Sequence, residues 1–179
     1  MTVAATYQKI KSSVQVYQQV LDETADTSFE RKPLNGGWSR SEVFWHIFDA
    51  SLLSLQTALD CARGDGKKRE TPFISKLILF FGALPPGRYK MPGMLAERSR
   101  SCSPAEARLL INRFLKALDE ALPQLKRAPA DIKTKHPRLG YFNAAQWLRF
   151  MWIHLRHHQK QLLRIERSIA MEAGRKKNL

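Results

Sequence analysis

No stretch of the 179-residue chain approaches the roughly 18 consecutive apolar residues that span a bilayer, so no membrane-crossing helix is expected. The opening MTVAATYQKIKSS lacks a basic segment followed by an apolar one. No secretory signal is read there, and a cytoplasmic location is expected. Cysteine is scarce. Cys61 and Cys102 stand far apart and offer no CxxC spacing for a redox pair or a zinc ribbon. One disulfide between them is conceivable, but thiols kept reduced in a cytosol are the simpler expectation. Acidic residues are few as well: 16 Asp and Glu oppose 30 Lys and Arg, for a net charge of +14. That excess favours anionic partners, whether nucleic acid, an anionic membrane surface or a phosphorylated small molecule. It equally suits a solvated basic surface, because no basic cluster sits inside a recognisable nucleic-acid motif. Internal repeats, low-complexity tracts and strand-like alternation are all missing.

The sequence does contain four long segments with helical periodicity. Residues 3–24 place Tyr7, Ile10, Val14, Tyr17 and Leu21 at spacings of three and four, which is one apolar stripe. A loop rich in breakers follows, with Pro33, Asn35, Gly36 and Gly37. Ser39 and Glu42 then form the S-x-x-E pattern of a capping box, and a second helix is expected to run to about Ala62. That helix is apolar on two sides: Phe44, Phe48, Leu52, Leu55 and Leu59 on one, Val43, His46, Ala50, Leu53, Thr57 and Cys61 on the other. A helix of this kind is packed on both faces.

A loop and a short apolar segment, FISKLILFFGAL (73–84), come next, before PPGRYKMPG forbids regular structure. The segment is expected to cover the apolar face of the second helix. Placement at a membrane surface is the alternative, given Arg88, Lys90, Arg98 and Arg100 close behind. Ser103, Pro104 and Glu106 start a third long helix whose buried stripe is Ala107, Ile111, Phe114, Leu118, Ala121 and Leu125, and which Pro123 is expected to bend or end. KRAPADIKTKHPRLGYF reads as a loop. Asn143 and Gln146 cap a final helix ending near Ala170, and the basic tail 172–179 is expected to be frayed or disordered. One domain over 1–171 is therefore expected, all-α, built as a four-helix bundle with a short extra apolar helical segment.

The candidate chemistry lies in the final helix. Trp147, Met151, His154, His158, Leu162, Ile165 and Ile169 fall within about 80° of its wheel. Two histidines four residues apart thus interrupt the stripe that the bundle buries, and such a pair can direct two imidazole nitrogens at one ion. The plainer reading is two core-edge histidines bonded to facing polar groups. His46 shifts the balance, because it lies on the smaller-residue face of the second helix. Three buried imidazoles would otherwise need three separate sets of partners, whereas one metal ion satisfies them all. His157 points about 100° from the stripe centre. A His154/His157 pair remains an alternative, and His136, before Pro137, reads as structural or surface. Asp49, Gln161 and His157 are candidates for orienting the ligands from behind, with a surface ion pair as the competing role for Asp49. Tyr141 and Trp38 read as packing residues. Cys61 lies about 22 Å along the helix from His46 and is not a candidate ligand.

GGWSRSEVFWHIFDA and HPRLGYFNAAQWLRFMWIHLRHHQKQLL resemble segments of the DinB/YfiT-like superfamily of metalloenzymes, and in particular members carrying HP-x-x-G ahead of H-x-x-H-H-x-x-Q. The resemblance covers most of the chain. It implies an up-down-down-up four-helix bundle, often a homodimer. It implies metal positions at His46, His154 and His158 holding a divalent ion, zinc or nickel foremost. Characterised relatives in the superfamily include enzymes that transfer or isomerise small molecules with low-molecular-weight thiols, while the motifs of this subset imply no particular activity. The apolar-then-basic segment 73–90 and the high charge are not part of that pattern.

Three functions follow. The first is a metal-dependent enzyme, a transferase or hydrolase, in which three imidazoles leave coordination positions open for water, thiol or substrate. The second is a non-catalytic basic protein that binds nucleic acid or an anionic membrane surface. The third is a bundle that uses its histidines for stability alone.

Overall fold

The long helices begin where their capping residues stand. Ser39 Oγ accepts from the Glu42 N–H at 3.2 Å while Glu42 Oε2 accepts from the Ser39 N–H at 2.8 Å. Ser103 and Glu106 repeat the pattern at the same two distances, and Asn143 and Gln146 do so at 2.9 and 3.0 Å. Each reciprocal pair satisfies two backbone donors that a helix start leaves free. This computed structural model describes residues 1–34, 36–85, 87 and 100–177, with side chains through residue 171. Among the described residues, the chain forms α1 (Val3–Glu23), α2 (Asp26–Phe29), α3 (Arg40–Arg63), β1 (Lys67–Lys68) and α4 (Phe73–Phe81). It continues with α5 (Pro104–Lys126), β2 (Ile132–His136), β3 (Gly140–Phe142) and α6 (Ala144–Lys177).

Four of these helices make the bundle. Tyr7 on α1 donates to Asp119 on α5 at 2.6 Å, and Arg108 pairs with Asp22, so α1 and α5 run antiparallel. Gln159 donates to the Ser13 carbonyl and Tyr17 to the Leu155 carbonyl, so α1 and α6 run parallel. Arg40 at the start of α3 meets Glu166 late in α6 at 2.5 Å, while Cys61 near the end of α3 meets the Phe142 carbonyl just before α6. Those two helices are therefore antiparallel. Ser41 to Cys102 and Phe48 to Phe114 make α3 and α5 parallel. The directions are up, down, down, up, as the resemblance implies. Between the diagonal partners α1 and α3, Tyr17 packs edge-on to Phe44 and Phe48 at 5.5 and 5.3 Å, and this aromatic cluster fills the centre. The predicted stripe of α5 is buried throughout. On α3, Leu53 is the exception to the expected second face, at 39% exposure.

Several expectations give way. The loop after residue 127 contains two strands: β2 pairs with both β1 and β3 in an antiparallel three-stranded sheet, order β1-β2-β3. Ile132, Thr134 and His136 alternate with lysines, a pattern too short to stand out before its neighbours are known. The β2–β3 hairpin turns over three residues and closes on Gly140 at φ 80°, the left-handed position a three-residue loop requires. A side chain there would also strike Pro72 at 2.4 Å. Thr134 Oγ1 accepts from Trp147 Nε1 at 2.8 Å and lies 3.1 Å from Cys61 Sγ, which ties β2 to both α3 and α6.

α2 appears inside the first loop and buries Phe29 against Phe44. Pro123 does not end α5, which runs on to Lys126; in the last turn it forfeits only one backbone bond. α6 passes Ala170 and continues to Lys177, because the residues there are good helix formers and Gly174 alone opposes them. Both cysteines are free and buried. α4 does not cover α3. It packs on α6 through the Gly82 turn, with Arg149 Nε donating to the Leu79 carbonyl at 3.0 Å, and on the β2–β3 turn through Ser75, which donates to the Leu139 carbonyl at 2.6 Å; Ile78 is buried as well. Of the basic residues behind it, Arg88, Lys90 and Arg98 lie outside the described residues.

Replacing Ser103 with Ala removes one capping bond that involves none of the histidines. The expected loss is about 1 kcal/mol, or a fall in Tm of roughly 3 °C by calorimetry.

Candidate metal centre

His46 sits two turns into α3, and His154 and His158 sit on consecutive turns of α6. The antiparallel contact of these helices turns all three rings toward one point. One ring nitrogen from each lies within 4.8 Å of the other two. The ring centroids are 5.3 Å apart for His46–His154, 4.9 Å for His46–His158 and 4.6 Å for His154–His158. His46 and His158 are buried and His154 is half-buried. His154 Nε2 and His158 Nε2 approach to 3.0 Å. Two nitrogens on one tetrahedral ion are separated by about 3.3 Å when each bond is ~2.0–2.1 Å.

The protonation pattern follows from the surroundings. His158 Nδ1 lies 2.7 Å from Gln161 Oε1, an acceptor, so Nδ1 carries the proton and the Nε2 lone pair faces the cluster. Burial pushes His46 down to about 4; Asp49 works against that shift and His157 adds to it. Burial, then the charge of the neighbouring imidazoles, holds His154 and His158 well below the usual imidazole range. All three are therefore neutral near pH 7, the state in which imidazole binds a metal. By their donor set and protonation, these residues fit a divalent ion.

Aromatic rings frame the cluster. Trp38 stacks on His158 with planes 11° apart and meets His46 edge-on at 5.1 Å. Phe150 stacks on His154 at 5.5 Å, and His136 packs against Phe150 at 4.6 Å. His136 Nδ1 accepts from the backbone N–H groups of Arg138 and Leu139, each at 3.1 Å, and so shapes the β2–β3 turn. These bonds agree with the structural reading of His136. Trp38 packs as expected, but what it packs on is the histidine cluster. A sign of it was present: Trp38 directly precedes the Ser39 cap, where an apolar residue fixes the entry angle of the chain. Phe150 stands four residues before His154, one turn along the same face.

His157 lies outside the converging three. Its ring meets His158 edge-on at 5.1 Å, and it borders a cavity with Phe81, Gly82 and Lys160 on the α4 side. It is the leading pair His154/His158, not the alternative His154/His157, that converges with His46, because four residues return the helix closer to one face than three do. Asp49 is half-buried one turn after His46. Cys61 is bound up with Thr134 and Phe142, away from the cluster.

In the metal-free protein, stability should depend on pH through these rings. An unfolded histidine titrates near 6.5, whereas folded His46 and His136 titrate at about 4. Between those values the unfolded chain holds more protons. Stability is fully present above pH 6.5 and is lost as the pH falls toward 4. For His46 alone the loss at pH 5 is on the order of 2 kcal/mol. Urea unfolding of metal-free protein at pH 7 and pH 5 measures it, and equal midpoints would contradict neutral burial.

Comparison with known proteins agrees with the fold. A solved structure described as TT2238, a four-helix bundle protein, superposes with a TM-score of 0.56 at 20% identity, covering 90% of this chain and 98% of that one. A mutant of a mycothiol-dependent maleylpyruvate isomerase superposes with a TM-score of 0.62 at 16% identity, covering 88% of this chain. The match spans 59% of the isomerase chain. No curated protein matches. The sequence profile of the DinB superfamily matches residues 10–162, which include all three converging histidines. The chain belongs to the DinB superfamily.

Proposed function

We propose that the chain is a divalent-metal-dependent enzyme that uses a low-molecular-weight thiol to transform a small-molecule substrate. The observation that carries this reading is the convergence of three neutral imidazoles, with no carboxylate in the set. His46, His154 and His158 would hold the ion, with zinc or nickel favoured by imidazole donors. When bound, the ion supplies Lewis acidity and lowers the pKa of a thiol or water beside it. Gln161 keeps the His158 lone pair aimed inward. Asp49 and His157 are proposed as flanking groups that tune the His46 and His158 rings, as their effects on those pKa values suggest. Trp38 and Phe150 limit how far the rings can turn.

The thiol-dependent reading takes support from the isomerase of similar fold, whose name states its dependence on mycothiol. Neither buried cysteine offers an internal thiolate: burial pushes Cys102 up to about 11 and raises Cys61 as well. The reactive sulfur would therefore come from outside the chain. A homodimer, on the strength of the resemblance alone, and a cytoplasmic location, from the opening sequence and the scarce cysteines, complete the proposal.

Elemental analysis of purified protein should find about one divalent ion per chain, lost in His154→Ala and in His158→Ala. Gln161→Ala should keep its fold and bind the ion about 10–100-fold more weakly. Cobalt-loaded protein should change its visible absorption on addition of a low-molecular-weight thiol. Undiminished metal in both histidine variants would end the metal assignment. An absorption spectrum indifferent to thiols would end the thiol assignment and leave hydrolysis.

A further inference from the structure

α4 is a nine-residue helix on the outside of the bundle, and most of its apolar surface faces away from the protein. Phe73, Ile74, Phe80 and Phe81 are 75, 57, 79 and 72% exposed. With half-buried Leu77 between them, they cover an arc of about 120° on the helix wheel. The opposite side is what holds α4 in place: Ser75 Oγ donates to the Leu139 carbonyl at 2.6 Å, Ile78 is buried, and the Gly82 turn lies against Arg149 and Trp152. The exposed arc is thus presented on a fixed support. Scattered exposed apolar residues are ordinary, but five on one helical face form a patch of the kind that marks a docking surface.

Cations border that patch. At its C-terminal end, Arg149 and Arg156 both lie over the Trp152 ring, at 4.3 and 4.9 Å, and Lys160 lines the same cavity as Phe81 and Gly82. Among the described residues none of these three is paired with a carboxylate. Burial and then the charge of Arg156 push the Arg149 guanidinium down, so the cluster repels itself and gains from a nearby anion. At the N-terminal end stand exposed Arg69 and Arg138.

We propose that the α4 face docks this protein on an anionic membrane surface, with the phenylalanines entering the headgroup boundary and the flanking arginines and Lys160 meeting lipid phosphates. The charge pattern selects this occupant. A second copy seated on the same patch would bring two rims of like charge together, on chains that each carry +14. A nucleic acid would match the cations but not a convex face that includes Ile74 and Leu77. An interfacial helix needs the combination seen here, an apolar face with basic neighbours. No described helix is long and apolar enough to cross a membrane, so contact would be confined to the surface. The inference does not depend on the metal centre.

Vesicle co-sedimentation of the full chain tests it. Vesicles of phosphatidylcholine with about 30% phosphatidylglycerol, at about 0.15 M salt, should bind the protein at least ~10-fold more tightly than pure phosphatidylcholine. Phe73→Ser/Phe80→Ser/Phe81→Ser should lose at least ~10-fold of that binding while its circular dichroism and Tm stay unchanged. Phe80→Ser alone should lose part of it and serves if the triple variant aggregates. Arg156→Gln/Lys160→Gln should weaken binding to the anionic vesicles and leave the weak binding to neutral ones as it was. Three results would overturn the proposal. They are no binding to anionic vesicles, full binding by the phenylalanine variants, and a solution dimer that those variants dissociate without any vesicle binding.

Discussion

The antiparallel contact between α3 and α6 is the constraint on which the rest of the molecule depends. Arg40, buried at the start of α3, meets Glu166 at one end of that contact and also donates to the Ser28 carbonyl. Thr134 and Phe142 tie Cys61 and Trp147 together at the other end. With both ends pinned, the axial register of the two helices is fixed. A slip of one helix residue would displace a ring by about 1.5 Å and turn it by about 100°, enough to scatter three imidazoles that now share one point. The small sheet therefore has a mechanical role: it sets the register at the end of the bundle where the capping boxes of α3 and α5 cannot.

The same contact explains why the histidines can stay uncharged in a core. Three imidazoles packed among phenylalanine and tryptophan rings lose hydration, and each would raise the energy of a charge on the others. Neutrality removes that repulsion and leaves lone pairs facing inward, one of them within hydrogen-bond distance, 3.0 Å, of a neighbouring ring nitrogen. One is aimed deliberately, since Gln161 fixes the His158 tautomer. Such an arrangement suits the cation site proposed above. The aromatic line from His136 through Phe150 to His154 also connects the sheet to the cluster, so the hairpin turn and the candidate site are parts of one packed unit.

Charge organises the outside as the histidines organise the inside. Many exposed basic residues sit in weak surface ion pairs, such as Lys68 with Asp131 and Lys116 with Glu120. Arg149, Arg156 and Lys160 do not, and they stand beside the one described helix whose apolar side faces outward. The apolar composition of 73–84 suggested a covering segment for α3. Its actual position follows from Ser75, which bonds the β2–β3 turn, from buried Ile78 and from Gly82, which lies against α6, and together they leave the phenylalanines outside.

Much of the fold was legible in the sequence because it is written in local signals. Capping pairs such as Ser39–Glu42 act within one turn, and stripes such as Ala107 to Leu125 follow from helical geometry alone. The spacing of His154 and His158 on one buried face was readable for the same reason. What escaped was set by contacts between distant segments. The strands Ile132–His136 and Gly140–Phe142 gain their hydrogen bonds only from each other and from Lys67–Lys68, and Trp38 and Phe150 become walls of the site only when α3 and α6 meet. The orientation of α4 likewise has no local determinant, since an apolar nine-residue helix can turn either side to its support. The sequence alone determined where each of the four long helices begins and most of the stripe it buries, because those energies arise from neighbours along the chain. Only the tertiary structure decided that His46 joins His154 and His158 and that the α4 phenylalanines face outward, because both depend on the packing of surfaces that are far apart in sequence.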